Sequence, residues 1–97
     1  MFILLTYDID FKDNNSHKRL NKVAKICESY GIRVQNSVFE LTIDNGEFLL
    51  LKNKLEEVIK NNDSIRFYLL GNNYKNKVEV IGKQEIIEIS KDSCILL

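Results

Sequence analysis

The run Phe2–Tyr7 constrains the fold more than any other feature of the chain. Its residues are apolar, β-branched or aromatic. Thr6 is the one exception to apolar side chains on both faces of the strand. A strand with one face in water alternates apolar and polar residues, whereas a strand buried on both faces does not. The sequence therefore predicts a central strand over Phe2–Ile9, in a sheet that is covered on both faces.

The rest of the chain alternates between helical and strand patterns. Ser16 is predicted as an N-cap and Gly31 as a left-handed C-cap of the first helix. The polar residues Gln35-Asn36-Ser37 indicate either a bulge in one bent strand or a reversal between two short strands. The predicted elements are a helix over Ser16–Tyr30, strand structure within Ile32–Ile43, a helix over Glu47–Lys60, and strands over Ile65–Leu70, Val78–Ile81 and Ile86–Ile89.

This order of elements is the split βαβ pattern of a ferredoxin-like α+β sandwich, in which two helices cover one face of an antiparallel sheet. Residues 1–82 are predicted to form that domain, and residues 83–97 a C-terminal strand or tail. The sheet's other face also needs cover, and the sheet of a second copy would supply it. A homodimer is therefore expected, with Val78–Ile89 able to add an edge strand to the partner.

Composition excludes several classes of protein. Ninety-seven residues are the length of one domain, and 14 basic and 14 acidic residues give a net charge of zero, so nucleic acid must be bound by local charge clusters. No apolar run approaches the roughly 18 residues of a membrane span, and no signal peptide precedes the first strand. Cys27 and Cys94 form no metal-type pair with each other or with His17. A cytoplasmic protein without membrane contact is expected.

Asp8 and Asp10 are the first candidate functional residues. A carboxylate at the end of a buried strand is costly unless it is hydrogen-bonded, paired or bound to a cation. Asp10 is expected on the same side two residues later, and the two carboxylates would offer hard oxygen ligands to Mg²⁺ or Mn²⁺, with Asp10 the weaker ligand. The alternative is that Asp8 ends the strand by accepting loop amides and that Asp10 is a solvated turn residue.

Basic residues form a row on the first helix, opposite the predicted buried stripe. Lys18, Lys22 and Lys25 recur at helical spacing, and Arg19 begins an adjacent row. With Arg33 beyond the helix and Arg66 in the strand Ile65–Leu70, these side chains could follow a nucleic-acid backbone without reading bases. The alternative is an ordinary solvated helix face.

The segment Gln35–Phe39 carries polar residues that a plain core strand would lack. Alternation places Gln35, Ser37 and Phe39 on one face of their strand, and Asn36, Val38 and Glu40 on the other. Ser37 has no partner that would make it a nucleophile, so its hydroxyl is expected to orient a neighbour or bind phosphate. Phe39 is either a core residue or a stacking platform.

Taken together, these residues resemble the small CRISPR-associated adaptation protein family, whose members are often named endoribonucleases and are the non-catalytic partners of the CRISPR integrase. The resemblance covers about residues 1–82. The residues that carry it are Tyr7-Asp8-Ile9, Lys18-Arg19, Val23, Tyr30-Gly31, Arg33-Val34-Gln35, Ser37-Val38-Phe39-Glu40 and Ile65-Arg66-Phe67-Tyr68-Leu69.

The resemblance implies a ferredoxin-like homodimer with a Mg²⁺-dependent endonuclease site, where Asp8 of each subunit faces its mate as metal ligand and catalytic residue. It also implies that Arg19 and Arg33 contact backbone phosphate and that Ser37 and Phe39 line the same area. The implied partners are the CRISPR integrase and nucleic acid, either protospacer DNA or single-stranded RNA. A non-catalytic DNA-binding adaptor that bridges integrase dimers is the alternative, and a small regulatory domain of the same fold is a third.

Overall fold

A computed structural model describes residues 1–70 and 77–83 of the chain. Their strands form one antiparallel sheet in the order β2-β3-β1-β4-β5, and both helices pack on the same face of it. This is the ferredoxin-like α+β architecture that the element order predicts, extended by one edge strand. The elements are β1 (Phe2–Asp8), α1 (Ser16–Glu28), β2 (Gly31–Gln35), β3 (Val38–Thr42), α2 (Asn45–Val58), β4 (Ser64–Leu70) and β5 (Lys77–Gly82).

The central strand β1 separates a buried face from an open one. Ile3, Leu5 and Tyr7 are buried in the core between the sheet and the two helices. Leu4 and Thr6 lie on the opposite face and are only half-buried, and Phe2 at the start of that row is 38% exposed. The described part of the chain thus covers one face of this apolar strand and leaves the other, the helix-free face, open.

The helix boundaries differ from the sequence predictions because backbone contacts fix them. Asn15, not Ser16, is the N-cap of α1, and its side chain donates or accepts no capping hydrogen bond. Gly31 has no positive φ and does not cap α1; it begins β2, where a Cβ would collide with the Leu41 side chain and the Glu40 carbonyl. The absent side chain at Gly31 therefore permits close strand packing.

The segment between the helices consists of two short strands, as one of the two predicted alternatives had it. Asn36 and Ser37 form the turn between β2 and β3, and the pairing register shifts between Arg33 and Gln35. After α2, strand β5 pairs with β4 of the same chain, which confirms a strand at Val78–Ile81. The predicted strand Ile86–Ile89, its exchange with a partner and most of the tail lie outside the described residues. Neither helix is long and apolar enough to cross a membrane in the part of the chain that is described.

Candidate functional site at the end of β1

Asp8 is the last residue of β1 and lies opposite Ser64 of β4. Because side chains alternate along a strand, Asp8 faces away from buried Tyr7 and shares the helix-free face with Leu4 and Thr6. Its side chain is exposed, contrary to the expectation of a buried carboxylate. The exposed position leaves the carboxylate available to a cation or to a second molecule that approaches this face.

A polar cavity of about 560 Å³ opens beside Asp8. Its lining includes residues of both charges from three segments of the chain that the fold brings together. Asp10 also lines the cavity, and its Oδ1 atom accepts a hydrogen bond of 3.2 Å from the amide of Lys12. The polar lining residues include Asp8, Asp10, Lys12, Ser64, Arg66 and Lys83.

The donor chemistry of this cavity fits a hard divalent cation, but the number of donors from one chain does not complete a site. Carboxylate oxygens suit Mg²⁺, which demands six ligands in near-octahedral geometry. Within residues 1–70 and 77–83, no three His, Cys, Asp or Glu side chains are grouped closely enough to hold a metal ion. A cation at Asp8 would therefore need oxygen atoms from water, from substrate phosphate or from a second copy of the chain.

Arg19 is not among the exposed cations, although it was predicted to contact phosphate. Only 4% of the residue is exposed, and its Nε atom donates to Oδ2 of Asp63 at 2.8 Å. Its Nη1 atom donates to Oδ1 of Asp13 at 2.7 Å, and its Nη2 atom donates to the Asp10 carbonyl at 3.1 Å. The structure thus places Arg19 beneath the loop that follows β1, where these acidic partners would have to be displaced before a phosphate could bind.

The electrostatic interactions among Arg19, Asp63 and Asp13 keep all three side chains charged. Burial raises the pKa of Asp63, but hydrogen bonds from Arg19 and from the amides of Lys60 and Asp10 outweigh it and hold that pKa below its usual value. The hydrogen bond from Arg19 lowers the pKa of Asp13. The same two carboxylates raise the pKa of Arg19 above its usual value. The group is therefore an ion pair throughout the neutral range.

The lysine row of α1 lies on a different side of the molecule from Asp8. Lys18, Lys22 and Lys25 are exposed, whereas Val23 and Cys27 of the same helix are buried against the sheet. None of the ion pairs found among the described residues involves these lysines. The row therefore presents positive charge on the solvent side of the helix layer, and the sheet separates it from Asp8.

Arg33 occupies an intermediate position at the edge strand β2. Its guanidinium lies 3.6 Å from the Glu28 carboxylate and 5.2 Å from the centre of the Phe39 ring. Its Nη2 atom is 3.4 Å from the Tyr7 hydroxyl. The side chain is 43% exposed, so it keeps access to solvent while these neighbours orient it.

Ser37 and Phe39 do not line the Asp8 cavity. Phe39 is fully buried in the core on the helix side of the sheet, with its ring centre 6.1 Å from that of Tyr7. Ser37 lies in the β2–β3 turn, where its carbonyl accepts a 3.1 Å hydrogen bond from the Tyr7 amide. Gln35 pairs with Val38, the neighbour of Phe39, so the prediction that Gln35 and Phe39 share a face was wrong, because the turn interrupts the strand and shifts the register.

The structure brings Arg66, one of the cations predicted to follow a phosphate backbone, close to Asp8, whereas Asp63 escaped the sequence analysis. Arg66 alternates with buried Ile65 and Phe67 in β4 and pairs with Thr6, which brings it to the helix-free face near Asp8. Strand alternation was the available signal for its direction. No local pattern in the sequence indicates that Asp63 pairs with Arg19, 44 positions earlier.

Comparison with known proteins gives a consistent result. The family model described as CRISPR associated protein Cas2 matches residues 1–78. The chain is 49% identical over 90 residues to the CRISPR-associated endonuclease Cas2 of Halalkalibacterium halodurans, covering 92% of this chain and 94% of that protein. It is 46% identical to the CRISPR-associated endoribonuclease Cas2 of Nitratidesulfovibrio vulgaris, covering 84% of this chain and 81% of that protein.

Solved structures agree with the sequence relatives. A crystal structure of Streptococcus pyogenes Cas2 at pH 6.5 superposes with a TM-score of 0.68 at 49% identity, covering 76% of this chain and 90% of that one. A hypothetical protein from Thermus thermophilus gives a TM-score of 0.63 at 30% identity, covering 73% and 82%. On this sequence and structural evidence, the chain belongs to the CRISPR-associated Cas2 family.

Proposed function

We propose that the protein acts in CRISPR adaptation as a homodimer that cleaves phosphodiester bonds in nucleic acid at a Mg²⁺- or Mn²⁺-dependent site centred on Asp8. The observation that carries this proposal is the exposed Asp8 carboxylate at the rim of a cavity that also holds Arg66 and Lys83. A carboxylate can hold a divalent cation that assists attack on a phosphodiester, and cationic side chains nearby can hold the phosphate. The endonuclease and endoribonuclease names of the relatives support it.

The open face of the sheet supports the homodimer. Leu4, Tyr68 and Leu70 are half-buried on this face, and Ile32 at its edge is 71% exposed. Two such sheets stack at about 10 Å with interdigitating side chains. A twofold contact through this face would bring the two Asp8 residues toward each other and add the carboxylates that one chain lacks.

In this proposal the acidic residues of the cavity bind the cation and the basic residues bind phosphate. Asp8 and Asp10 would hold the cation, which supplies a water activated for attack and neutralises developing negative charge. Arg66 would hold a nonbridging oxygen of the scissile phosphate through its planar fork of donors. Lys12 and Lys83, which also line the cavity, would hold the neighbouring phosphates as point charges.

A cleavage assay with matched carboxylate variants tests the enzyme proposal. Asp8→Asn is compared with Asp10→Asn and with the exposed helix control Glu57→Gln, on single-stranded RNA and on single- and double-stranded DNA. We expect Asp8→Asn to lose at least 100-fold in cleavage rate and to lose Mn²⁺ binding by titration, with a smaller loss for Asp10→Asn. Cleavage that survives in Asp8→Asn, or in wild type without divalent metal, would rule out this site.

The dimer is tested by charge insertion into each side of the molecule. Leu4→Arg places a charge on the helix-free face, and Leu49→Arg places the same charge on the already exposed side of α2. We expect sedimentation equilibrium to show dimers for wild type and Leu49→Arg, and monomers for Leu4→Arg. A dimeric Leu4→Arg variant would show that the copies associate through another surface.

A second candidate function is a non-catalytic adaptor that binds protospacer DNA and bridges CRISPR integrase dimers. The lysine row of α1 favours it, because three exposed cations in helical register suit backbone contact and lie apart from the Asp8 cavity. If each lysine contacts one phosphate, reversing Lys22 and Lys25 to Glu should reduce the slope of log K against log salt by about 2. Lys54→Glu on α2 is the matched control.

Spacer acquisition in cells separates the two candidates. The adaptor predicts acquisition that survives Asp8→Asn and falls with the Lys22/Lys25 reversal. If cleavage is needed for acquisition, the enzyme proposal predicts that acquisition falls with Asp8→Asn and survives the Lys22/Lys25 reversal. An acquisition level unaffected by either change would leave neither surface with a role in adaptation.

A further inference from the structure

We propose that Asp63 and Arg19 are positioning residues, which hold the three cavity-lining segments in one geometry. This inference rests on the proposed function of the Asp8 cavity. It assigns a role to the buried ion pair that neither direct phosphate binding nor metal ligation explains.

The carboxylate of Asp63 is fully buried and accepts four hydrogen bonds. Its Oδ1 atom accepts from the Asp10 amide at 2.9 Å and from Nη2 of Arg19 at 3.2 Å. Its Oδ2 atom accepts from Nε of Arg19 at 2.8 Å and from the Lys60 amide at 2.9 Å. With four bonds to two oxygens, the side chain has no freedom to rotate without breaking several of them.

Arg19 extends this contact along the loop after β1. The Asp10 amide donates to Asp63 while the Asp10 carbonyl accepts from Arg19, so both flanking peptide groups are held. Farther along, Arg19 donates to Asp13, which itself accepts from the Asn15 amide. The loop is thereby fixed at both ends, and between them lie the cavity-lining residues Phe11 and Lys12.

The main chain of Asp63 connects the remaining wall of the cavity. Its carbonyl accepts a 2.8 Å hydrogen bond from the Lys83 amide, and the next residue, Ser64, pairs with Asp8. Gly82, with φ of 89°, allows this approach, since a Cβ there would collide with the Asp63 carbonyl. One residue thus joins the Asp10 loop, the start of β4 and the end of β5.

A role in stability alone is a poor explanation for such a pair. Desolvation offsets much of the Coulomb attraction of a buried ion pair, and apolar replacements of similar volume are often as stable. The forked geometry of arginine, in contrast, fixes direction as well as charge. Residues that orient metal ligands from behind commonly change metal affinity or activity by about 10- to 100-fold when replaced.

The test compares Asp63→Asn and Arg19→Lys with Glu79→Gln, which breaks the exposed ion pair between Lys52 and Glu79 far from the cavity. Amide hydrogen exchange reports the loop independently of catalysis. We expect the Asp10 amide in Asp63→Asn and Arg19→Lys to exchange at least tenfold faster than the loss of global stability explains, with that loss measured by the Ile3 and Leu5 amides of β1. In Glu79→Gln all of these rates should stay at the wild-type level.

Cleavage kinetics and Mn²⁺ titration report the consequence for the site. We expect Asp63→Asn and Arg19→Lys to need about tenfold more metal for half-saturation. We also expect their kcat to fall about 10-fold or more, with little change in KM for nucleic acid. An unchanged Asp10 exchange rate, or losses that merely follow melting temperature as in destabilised core variants, would overturn the proposal. Cleavage absent from wild type would refute the proposed function alone. Hydrogen exchange and metal titration would still decide whether Asp63 and Arg19 position the cavity.

Asp13→Asn keeps the test decisive if the buried variants fail to fold. The Asp13 side chain is 41% exposed and accepts from Nη1 of Arg19 and from the Asn15 amide, so its loss should spare the core. We expect faster exchange at the Asn15 amide and a smaller rise in the half-saturating Mn²⁺ concentration. A folded Asp13→Asn variant with wild-type metal response would count against positioning of the loop by this network.

Discussion

Phe39 provides the sharpest test of the site boundaries, because sequence interpretation allowed it to be either core or stacking platform. The structure buries it fully, between the Tyr7 ring and the Arg33 guanidinium. Removing a fully buried phenylalanine costs about 3–5 kcal/mol. That is a large part of the ~5–15 kcal/mol by which a small domain is stable.

We therefore expect Phe39→Ala to lower the free energy of unfolding by about 3–5 kcal/mol and Phe39→Leu by about 1–2 kcal/mol, since Leu refills most of the volume. At about 4–8 °C per kcal/mol, the melting temperature of Phe39→Ala should fall by more than about 12 °C. Phe11→Ala is the matched control, because Phe11 is 59% exposed and should change stability by less than about 0.5 kcal/mol.

The assay is urea unfolding followed by circular dichroism at one fixed protein concentration, since a dimer's apparent stability depends on concentration. Nucleic-acid binding by Phe39→Leu should stay at the wild-type level where the variant is folded. A Phe39→Ala variant with near-wild-type stability but impaired binding would refute the core assignment and restore the stacking platform.

Three further outcomes follow from the local structure. Gly31→Ala should destabilise the fold by about 1–3 kcal/mol in urea unfolding, because the new methyl group meets Leu41 and the Glu40 backbone. Asp44→Ala should cost about 1 kcal/mol in the same assay, because it removes the 2.8 Å bond from the Glu47 amide that caps α2. The pKa of Asp63 is lowered in the folded state, so its contribution is present above the unfolded value of about 3.9 and is lost as pH falls through the folded value. The stability difference between wild type and Asp63→Asn should therefore be full at pH 6 and shrink below about pH 4.

Much of the fold could be predicted because its signals are local. The unbroken apolar pattern of Phe2–Tyr7 identified the central strand, and helical periodicity located α1 and α2 to within a few residues. The position of Asp8 at the end of this strand made it a candidate, and family resemblance implied its role as metal ligand; the structure places it at the end of β1 on the open face. These inferences needed only the identity of residues close together in sequence.

The errors arose where distant contacts decide the outcome. Whether Gln35 and Phe39 share a face depends on whether Asn36 and Ser37 continue a strand or reverse it. A single-residue change of register moves side chains to the opposite face. Arg19 looked like a phosphate ligand on a basic helix because its partner Asp63 lies 44 positions away. A helical pattern shows which side of α1 is apolar. It cannot reveal which buried acidic residue binds an arginine that lies next to that side.

The resulting arrangement separates two surfaces by the thickness of the molecule. The Asp8 cavity lies on the helix-free face of the sheet, where a second copy is expected, and the lysine row lies on the outer side of α1. Groups that share no partners act nearly additively, so the Asp8 and Lys22/Lys25 changes should combine without coupling in DNA binding. In the proposed dimer, a single chain would present a candidate metal site inward to the second copy and a cationic face outward to nucleic acid. Loss of either surface by mutation need not disable the other, and for this reason cleavage and adaptor functions can be tested independently in one protein.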